Sequence, residues 1–169
     1  SILTMTEFLD ATSRMIEVCK IPIIADCDTG YGGPSNVARL VKKYENAGVA
    51  AVSIEDKIFP KENSLLDNGK NELLSEKEFV AKILAAKQAK HDKNFMIIAR
   101  IEALIAGMGI KEAIHRATAY EKAGADAIII HSKEKTPDEI FDFTDNWTGT
   151  IPVVVIPTTY DSVKISDLI

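Results

Sequence analysis

Cysteine is scarce in this chain, at 2 of 169 residues. Cys19 and Cys27 form neither a disulfide framework nor the paired spacing of a zinc knuckle. Positive charge is not in excess either: 25 acidic residues against 20 basic ones give a net charge of -5. The isoelectric point near 5.3 leaves no basic stripe to neutralise phosphates, so nucleic acid is not an expected partner. No apolar run approaches the length of a membrane span, and the chain opens on no recognisable leader, which gives the expectation of a cytoplasmic protein with no membrane partner. What is present is 46% hydrophobic residues at a mean hydropathy of +0.02. That composition suits one globular domain over residues 1–169 with a sizeable core.

Strand and helix patterns alternate along the chain. Apolar runs predict strands at Ile21–Cys27, Val49–Glu55, Phe95–Glu102, Ala127–His131 and Ile151–Pro157. Between them, Pro34 to Ala47 is a helix pattern closed by Gly48, and Ser75 to Lys90 opens with the capping box Ser75…Glu78. Gly109 to Ala123 is closed by Gly124. Thr136-Pro137-Asp138-Glu139 offers an N-cap, a proline at the first position and a capping glutamate. A further helix pattern covers Thr6 to Cys19. Regular alternation of this kind means a parallel sheet covered by helices, doubly wound or closed as a barrel. The echo of Glu45-Asn46-Ala47-Gly48-Val49 in Glu121-Lys122-Ala123-Gly124-Ala125 favours repeated β/α units, hence the α/β class and a parallel (β/α)8 TIM-type barrel. A complete barrel needs about 250 residues, so the expectation is a partial barrel of about five β/α units, lacking both ends.

Polar chemistry collects at the carboxyl ends of the strands. In Ala25-Asp26-Cys27-Asp28-Thr29-Gly30-Tyr31-Gly32, strand alternation puts Asp26 and Asp28 on one face and Cys27 on the other. Two like charges so placed repel unless a cation or an arginine sits between them, which points to a divalent-metal site; helix-capping aspartates in a polar turn are the plainer alternative. Ser53 and Glu55 share a face of the second strand and Arg100 and Glu102 a face of the third, while His131 ends the fourth. Because barrels carry their sites at this end, one pocket would gather Asp26, Asp28, Glu55, Arg100, Glu102 and His131. Simple ion pairing of Arg100 with Glu55 or Glu102, and a structural role for His131, are the competing readings. Three acids suit Mg²⁺ or Mn²⁺, and Arg100 with His131 suits a phosphoryl or carboxylate group. The pocket therefore reads as that of a metal-assisted enzyme acting on a small, doubly anionic substrate.

The connection from Asp56 to Leu74 far exceeds the roughly two to six residues that usually join strand to helix. It holds Lys57, Lys61, Asn63, Ser64, Asp67, Asn68 and Gly69, and a long loop at the active face of a barrel commonly serves as a lid. A disordered insertion is the plainer reading.

Five motifs resemble the phosphoenolpyruvate mutase branch of the isocitrate lyase/phosphoenolpyruvate mutase superfamily. They are Asp26-Cys27-Asp28-Thr29-Gly30-Tyr31-Gly32, Glu55-Asp56-Lys57-Ile58-Phe59-Pro60-Lys61-Glu62-Asn63-Ser64, Ala99-Arg100-Ile101-Glu102-Ala103, His131-Ser132-Lys133 and Val155-Ile156-Pro157-Thr158-Thr159-Tyr160. Their order holds over essentially the whole chain, and the second motif is much the most specific. Lyases of the superfamily carry a Lys-Lys/Arg-Cys-Gly-His lid, of which nothing is found here. The resemblance implies an isomerase that interconverts phosphoenolpyruvate and phosphonopyruvate with Mg²⁺. It implies Asp26 as the direct metal ligand, Asp28 and Glu55 as further ligands, and Arg100 and His131 on the migrating phosphoryl group. Lys61, Asn63 and Ser64 would close over that group, and the full-length protein would be a homo-oligomer, dimer or tetramer. Hydrolysis of phosphonopyruvate or a related α-keto acid is the alternative within enzymes. A reading of another class is a truncated chain that binds Mg²⁺ and anions, or assembles with a partner, without turnover.

Overall fold

A computed structural model describes residues 3–61, 63–64, 71–161 and 163–167. Its elements run α1 (Met5–Val18), β1 (Ile24–Asp26), α2 (Pro34–Asn46), β2 (Ala51–Glu55), α3 (Glu76–Ala89), β3 (Met96–Ile101), α4 (Gly109–Ala123), β4 (Ala127–Ile130), α5 (Asp138–Asn146) and β5 (Val153–Val155). The strands form one parallel sheet in the order β1-β2-β3-β4-β5. Each crossover moves one strand over in the same direction. A doubly wound sheet would reverse at a switch point, so this is the winding of a (β/α)8 barrel, present as a partial barrel of about five β/α units. No helix among the described residues is long and apolar enough to cross a membrane.

The helices form where local signals and burial agree. Pro34 opens α2 at its first position, and Val37, Leu40, Val41 and Tyr44 make the i, i+3, i+4, i+7 stripe that packs on the sheet. Ser75 and Glu78 complete the expected capping box on α3, and Gly124 ends α4 in the left-handed conformation. The cap expected at Thr136 is not made. Pro137 stands at the N-cap position of α5, and the side chains that would have capped are engaged elsewhere. Thr136 Oγ1 donates to Asp138, and Glu139 accepts from Ser132 Oγ.

Strand alternation divides the sheet into two faces. Val52, Ile54, Ile97, Ala99, Ile101, Ile128 and Ile130 point toward the helices and form the main core with them. Ala51, Ile98, Ala127 and Ile129 form a separate apolar layer on the other face, the barrel interior. The pairing Ile24↔Ala51 and Ile129↔Val154 puts Ile24 and Val154 on that interior face, and both are exposed at the two sheet edges.

The turn after β1 is set by backbone requirements. Gly30 has φ +85°, and a Cβ there would come within 2.5 Å of Val37 Cγ2 on α2. Lys82, on the core-facing stripe of α3, extends its Nζ to the carbonyl of Thr29 at 2.8 Å and fixes the turn from the other side. Gly30→Ala should therefore lower stability by about 1–3 kcal/mol, read from urea denaturation, because both the strained φ and the close contact oppose it.

Candidate active site

β1 ends at Asp26, one residue short of Cys27 and two short of Asp28. Asp28 does not continue the strand alternation: it has φ +50°, and its N–H donates to Asp26 Oδ1 at 3.0 Å. The turn, rather than strand pleating, brings Asp28 to Glu55. Cys27 is fully buried among the apolar residues behind the sheet, where burial pushes its thiol pKa far up, so it has no nucleophilic character.

Two carboxylates and a lysine meet at the mouth of β1 and β2. Lys61 Nζ lies 2.9 Å from Asp28 Oδ1 and 3.3 Å from Glu55 Oε1. The pair is uneven. Glu55 is the more deeply buried, and burial raises its carboxyl pKa above the ordinary value although Lys61 and Arg100 pull the other way. Burial works against the ammonium of Lys61 too, yet Glu55 and Asp28 hold its pKa above the usual lysine value.

The next strand end carries a second cluster, centred on Glu102. Parallel pairing sets Glu55 directly beside Arg100, whose Nε is 3.4 Å from Glu55 Oε2 and donates to Glu102 Oε1 at 2.6 Å. Ser64 Oγ donates to Glu102 Oε2 and accepts from Lys57 Nζ at 3.0 Å. His131 Nδ1 lies 2.9 Å from Glu102 Oε1 and 2.8 Å from an Arg100 terminal nitrogen. One ring nitrogen cannot donate to the first and accept from the second at once. His131 thus has two hydrogen-bond states in one geometry, with Nε2 either an acceptor or a donor. Burial alone would raise the Glu102 pKa. The hydrogen bond of His131, the charge of Arg100 and the hydroxyl of Ser64 outweigh it and hold the carboxyl at about 2.

The loop from Asp56 to Leu74 is tied at its base. Lys57 and Leu73 form an antiparallel bridge, Ile58 N–H donates to Glu72 O at 3.1 Å, and Leu74 N–H donates to Asp56 O at 2.9 Å. Asn63 is exposed, whereas Ser64 is buried. Of the residues expected in the lid, Glu62, Asp67, Asn68 and Gly69 lie outside the described residues.

The expected pocket is thus brought together in two adjoining groups: Asp28, Glu55 and Lys61, then Arg100, Glu102, His131 and Ser64. Asp26 is exposed at the edge of the first. Among the described residues, no group of three or more His, Cys, Asp or Glu has the arrangement of a metal centre. A hard divalent ion does not require one, since Mg²⁺ keeps several waters and takes one or two carboxylates. Asp28 Oδ2 is buried without a hydrogen-bond partner, and the two buried Glu55 oxygens have only the long ion contacts to Lys61 and Arg100, which leaves oxygen donors for such an ion.

Sequence patterning puts Glu102 in the pocket and offers it only an ion pair with Arg100, which forms, whereas the structure makes it the hub. It also passed over Asp56, Lys82 and Arg116. The last two carried a readable signal: each is a cation at a core-facing position of its helix, and a buried cation requires a partner.

Comparison with known proteins decides the family. The phosphoenolpyruvate phosphomutase family matches residues 1–169, the whole chain. The chain belongs to this family. Within it, a solved phosphoenolpyruvate phosphomutase from Streptomyces platensis subsp. rosaceus is 51% identical and superposes with a TM-score of 0.96, covering 99% of this chain and 58% of its own. A phosphonopyruvate hydrolase from Variovorax sp. (strain Pal2) is 48% identical over 99% of this chain and 58% of its own length. A solved phosphonopyruvate hydrolase in complex with oxalate and Mg²⁺ is 46% identical, with a TM-score of 0.92, covering 99% of this chain and 57% of its own. The chain therefore spans little more than half the length of these family members.

Glu102 gives a pH test. Its carboxyl sits below its unfolded value of about 4.5, so its contribution is fully present above that pH and is lost as the pH falls toward about 2. By linkage the change amounts to about 3 kcal/mol across that window. Urea denaturation at pH 6, 4 and 2.5 should show this loss in the unmodified protein and a flatter acid dependence in Glu102→Gln. Equal slopes for the two proteins would refute the placement of the charge.

Proposed function

We propose that the full-length protein is a Mg²⁺-dependent isomerase that interconverts phosphoenolpyruvate and phosphonopyruvate. The observation that carries the reading is the loop after β2: it belongs to the mutase-type motif, and its Lys61 and Ser64 meet the carboxylates of the pocket. Nothing in that motif supplies the cysteine of the lyase lids. Dimeric or tetrameric assembly and a cytoplasmic location rest on the family resemblance and composition alone.

Conversion of phosphoenolpyruvate breaks the bond between phosphorus and the enol oxygen and makes a bond from phosphorus to the methylene carbon. No proton is gained or lost overall. Transferring phosphoryl groups are metaphosphate-like, so the protein acts by positioning and charge stabilisation. Arg100 presents a planar cation for the migrating group, and His131 offers a donor at Nε2 when Nδ1 accepts from Arg100. Lys61 and Asn63 lie on the loop that closes over it, where exclusion of water favours recapture by carbon over hydrolysis. Asp26, Asp28 and Glu55 would hold Mg²⁺, which supplies Lewis-acid stabilisation of the oxygen that develops charge.

Hydrolysis of phosphonopyruvate is the second reading, favoured by the 48% identity to the Variovorax enzyme. ³¹P NMR of the full-length protein with phosphonopyruvate and Mg²⁺ separates the two. Appearance of phosphoenolpyruvate supports the mutase, pyruvate with inorganic phosphate replaces it by the hydrolase, and no turnover of phosphonopyruvate leaves the non-catalytic reading. Asn63→Ala should cut mutase turnover at least ~10-fold, about 1.4 kcal/mol of transition-state stabilisation, and raise the share of phosphate released.

The metal assignment has its own test in calorimetry. Asp26→Ala should abolish Mg²⁺ binding, and Asp28→Ala should weaken it by about 10–100-fold. Unchanged affinity in Asp26→Ala would remove that residue from the ligand set.

A further inference from the structure

Asp56 follows the last residue of β2 and is buried on the side of the sheet away from the pocket, so the family chemistry gives it nothing to do. Its surroundings are nevertheless as fully built as those of Glu102. Oδ1 accepts the backbone N–H of Glu102 at 2.9 Å. Oδ2 accepts from the hydroxyl of Tyr120 at 2.7 Å and from the guanidinium of Arg116 at 3.0 Å. Its own N–H donates to the carbonyl of Arg100 at 3.2 Å, and its carbonyl accepts from Leu74.

We infer that Asp56 is a positioning residue for Arg100 and His131, acting through Glu102. The route is short. Asp56 faces the helices and Glu102 faces the pocket, and a single hydrogen bond to the Glu102 peptide fixes where that inward carboxylate starts. That carboxylate in turn grips Arg100 Nε and meets His131 Nδ1. The hydrogen bond from the Asp56 N–H to Arg100 O locks the neighbouring peptide of β3 in the same frame. Arg116 and Tyr120, one turn apart on α4, hold the Asp56 carboxylate rigid. Arg116 is held in turn by Glu112 at 2.8 Å and by the carbonyl of Leu74 at 3.0 Å.

A buried ion pair is a costly way to attach a helix to a sheet, since apolar packing of similar volume does as well or better. What an ion pair adds is direction. The chain Arg116/Tyr120, Asp56, Glu102, Arg100/His131 transmits the geometry of α4 to the two groups that face the phosphoryl position, as outer partners do at other polar sites. The catalytic half of this inference rests on the function proposed above; the geometric half does not.

The test uses the full-length protein with Asp56→Asn and, because that variant risks misfolding, Tyr120→Phe. The second keeps the ring contact with Phe79, at 4.7 Å between centroids, and removes only the hydroxyl. Three readouts are taken: thermal melting, kcat and KM for the substrate that the protein turns over, and the ¹⁵N resonances of the His131 ring without substrate. Asp56→Asn should lose about 10–100-fold in kcat with KM changed far less, and Tyr120→Phe should lose less in the same direction. In both, the His131 ring resonances should move. Ring resonances and kcat that stay at the unmodified values while melting falls would overturn the inference and leave Asp56 a purely structural ion pair. A fall in kcat with unmoved ring resonances would overturn the route through Glu102. If Asp56→Asn does not fold, Tyr120→Phe decides alone. If the unmodified protein turns over neither substrate, the functional proposal fails, and the ring resonances still decide the positioning role.

Discussion

A carboxylate with no access to water stays ionised only if the groups around it replace the water it has lost. Glu102 is in that position, and almost every feature of the site follows from how it is satisfied. Its two oxygens take Arg100, His131 and Ser64, and its peptide N–H goes to Asp56. Those partners come from β3 itself, from the end of β4 and from the loop that opens at Asp56 just beyond β2. Three segments of the chain are therefore registered against one another by one residue. Low local dielectric strengthens each of these bonds and makes the loss of any one expensive.

The parallel ladder makes this convergence geometrically cheap. Glu55 pairs with Arg100, so the acid of β2 and the cation of β3 stand side by side on the interior face without any distortion of the sheet. Beneath them the interior is small and apolar, with Ala51, Ile98, Ala127 and Ile129 closing the floor. Charged residues sit above this layer, at the carboxyl ends, where backbone pairing ceases and side chains from neighbouring strands can turn toward one another. The floor keeps water away from one side of the cluster, and the loop after β2 covers part of the other.

Element positions were largely legible in the sequence because hydrophobic period and capping residues agree there. Ser75…Glu78, Pro34 and Gly124 each mark a boundary that the structure keeps. The failures come where a local signal was overridden by a partner distant along the chain. By its spacing Glu139 is a capping residue, and the hydroxyl of Ser132 takes it instead. Strand pleating predicts the side of Asp28, and a left-handed turn sets it instead. The inward residues Glu55, Arg100 and His131 could be named from alternation alone. The hub role of Glu102 could not, since it depends on Ser64, thirty-eight positions away in the chain, and on which ring nitrogen of His131 faces it.

Glu55-Asp56-Lys57 shows most clearly what the sequence holds beyond motif matching. Three consecutive charged residues, all buried, contradict ordinary partitioning unless each has its own partner. Alternation at the strand end supplies the partners by sending neighbours in opposite directions. Glu55 turns to the interior and meets Lys61 and Arg100, while Asp56 turns to the helices and meets Arg116 and Tyr120. Lys57 enters the loop, where its ammonium reaches Ser64. The same run of charge thus serves the pocket, the scaffold and the loop at once, because only a strand end presents successive side chains to three different surroundings. A helix would have spread them around one cylinder, and a flexible loop would have left them in water.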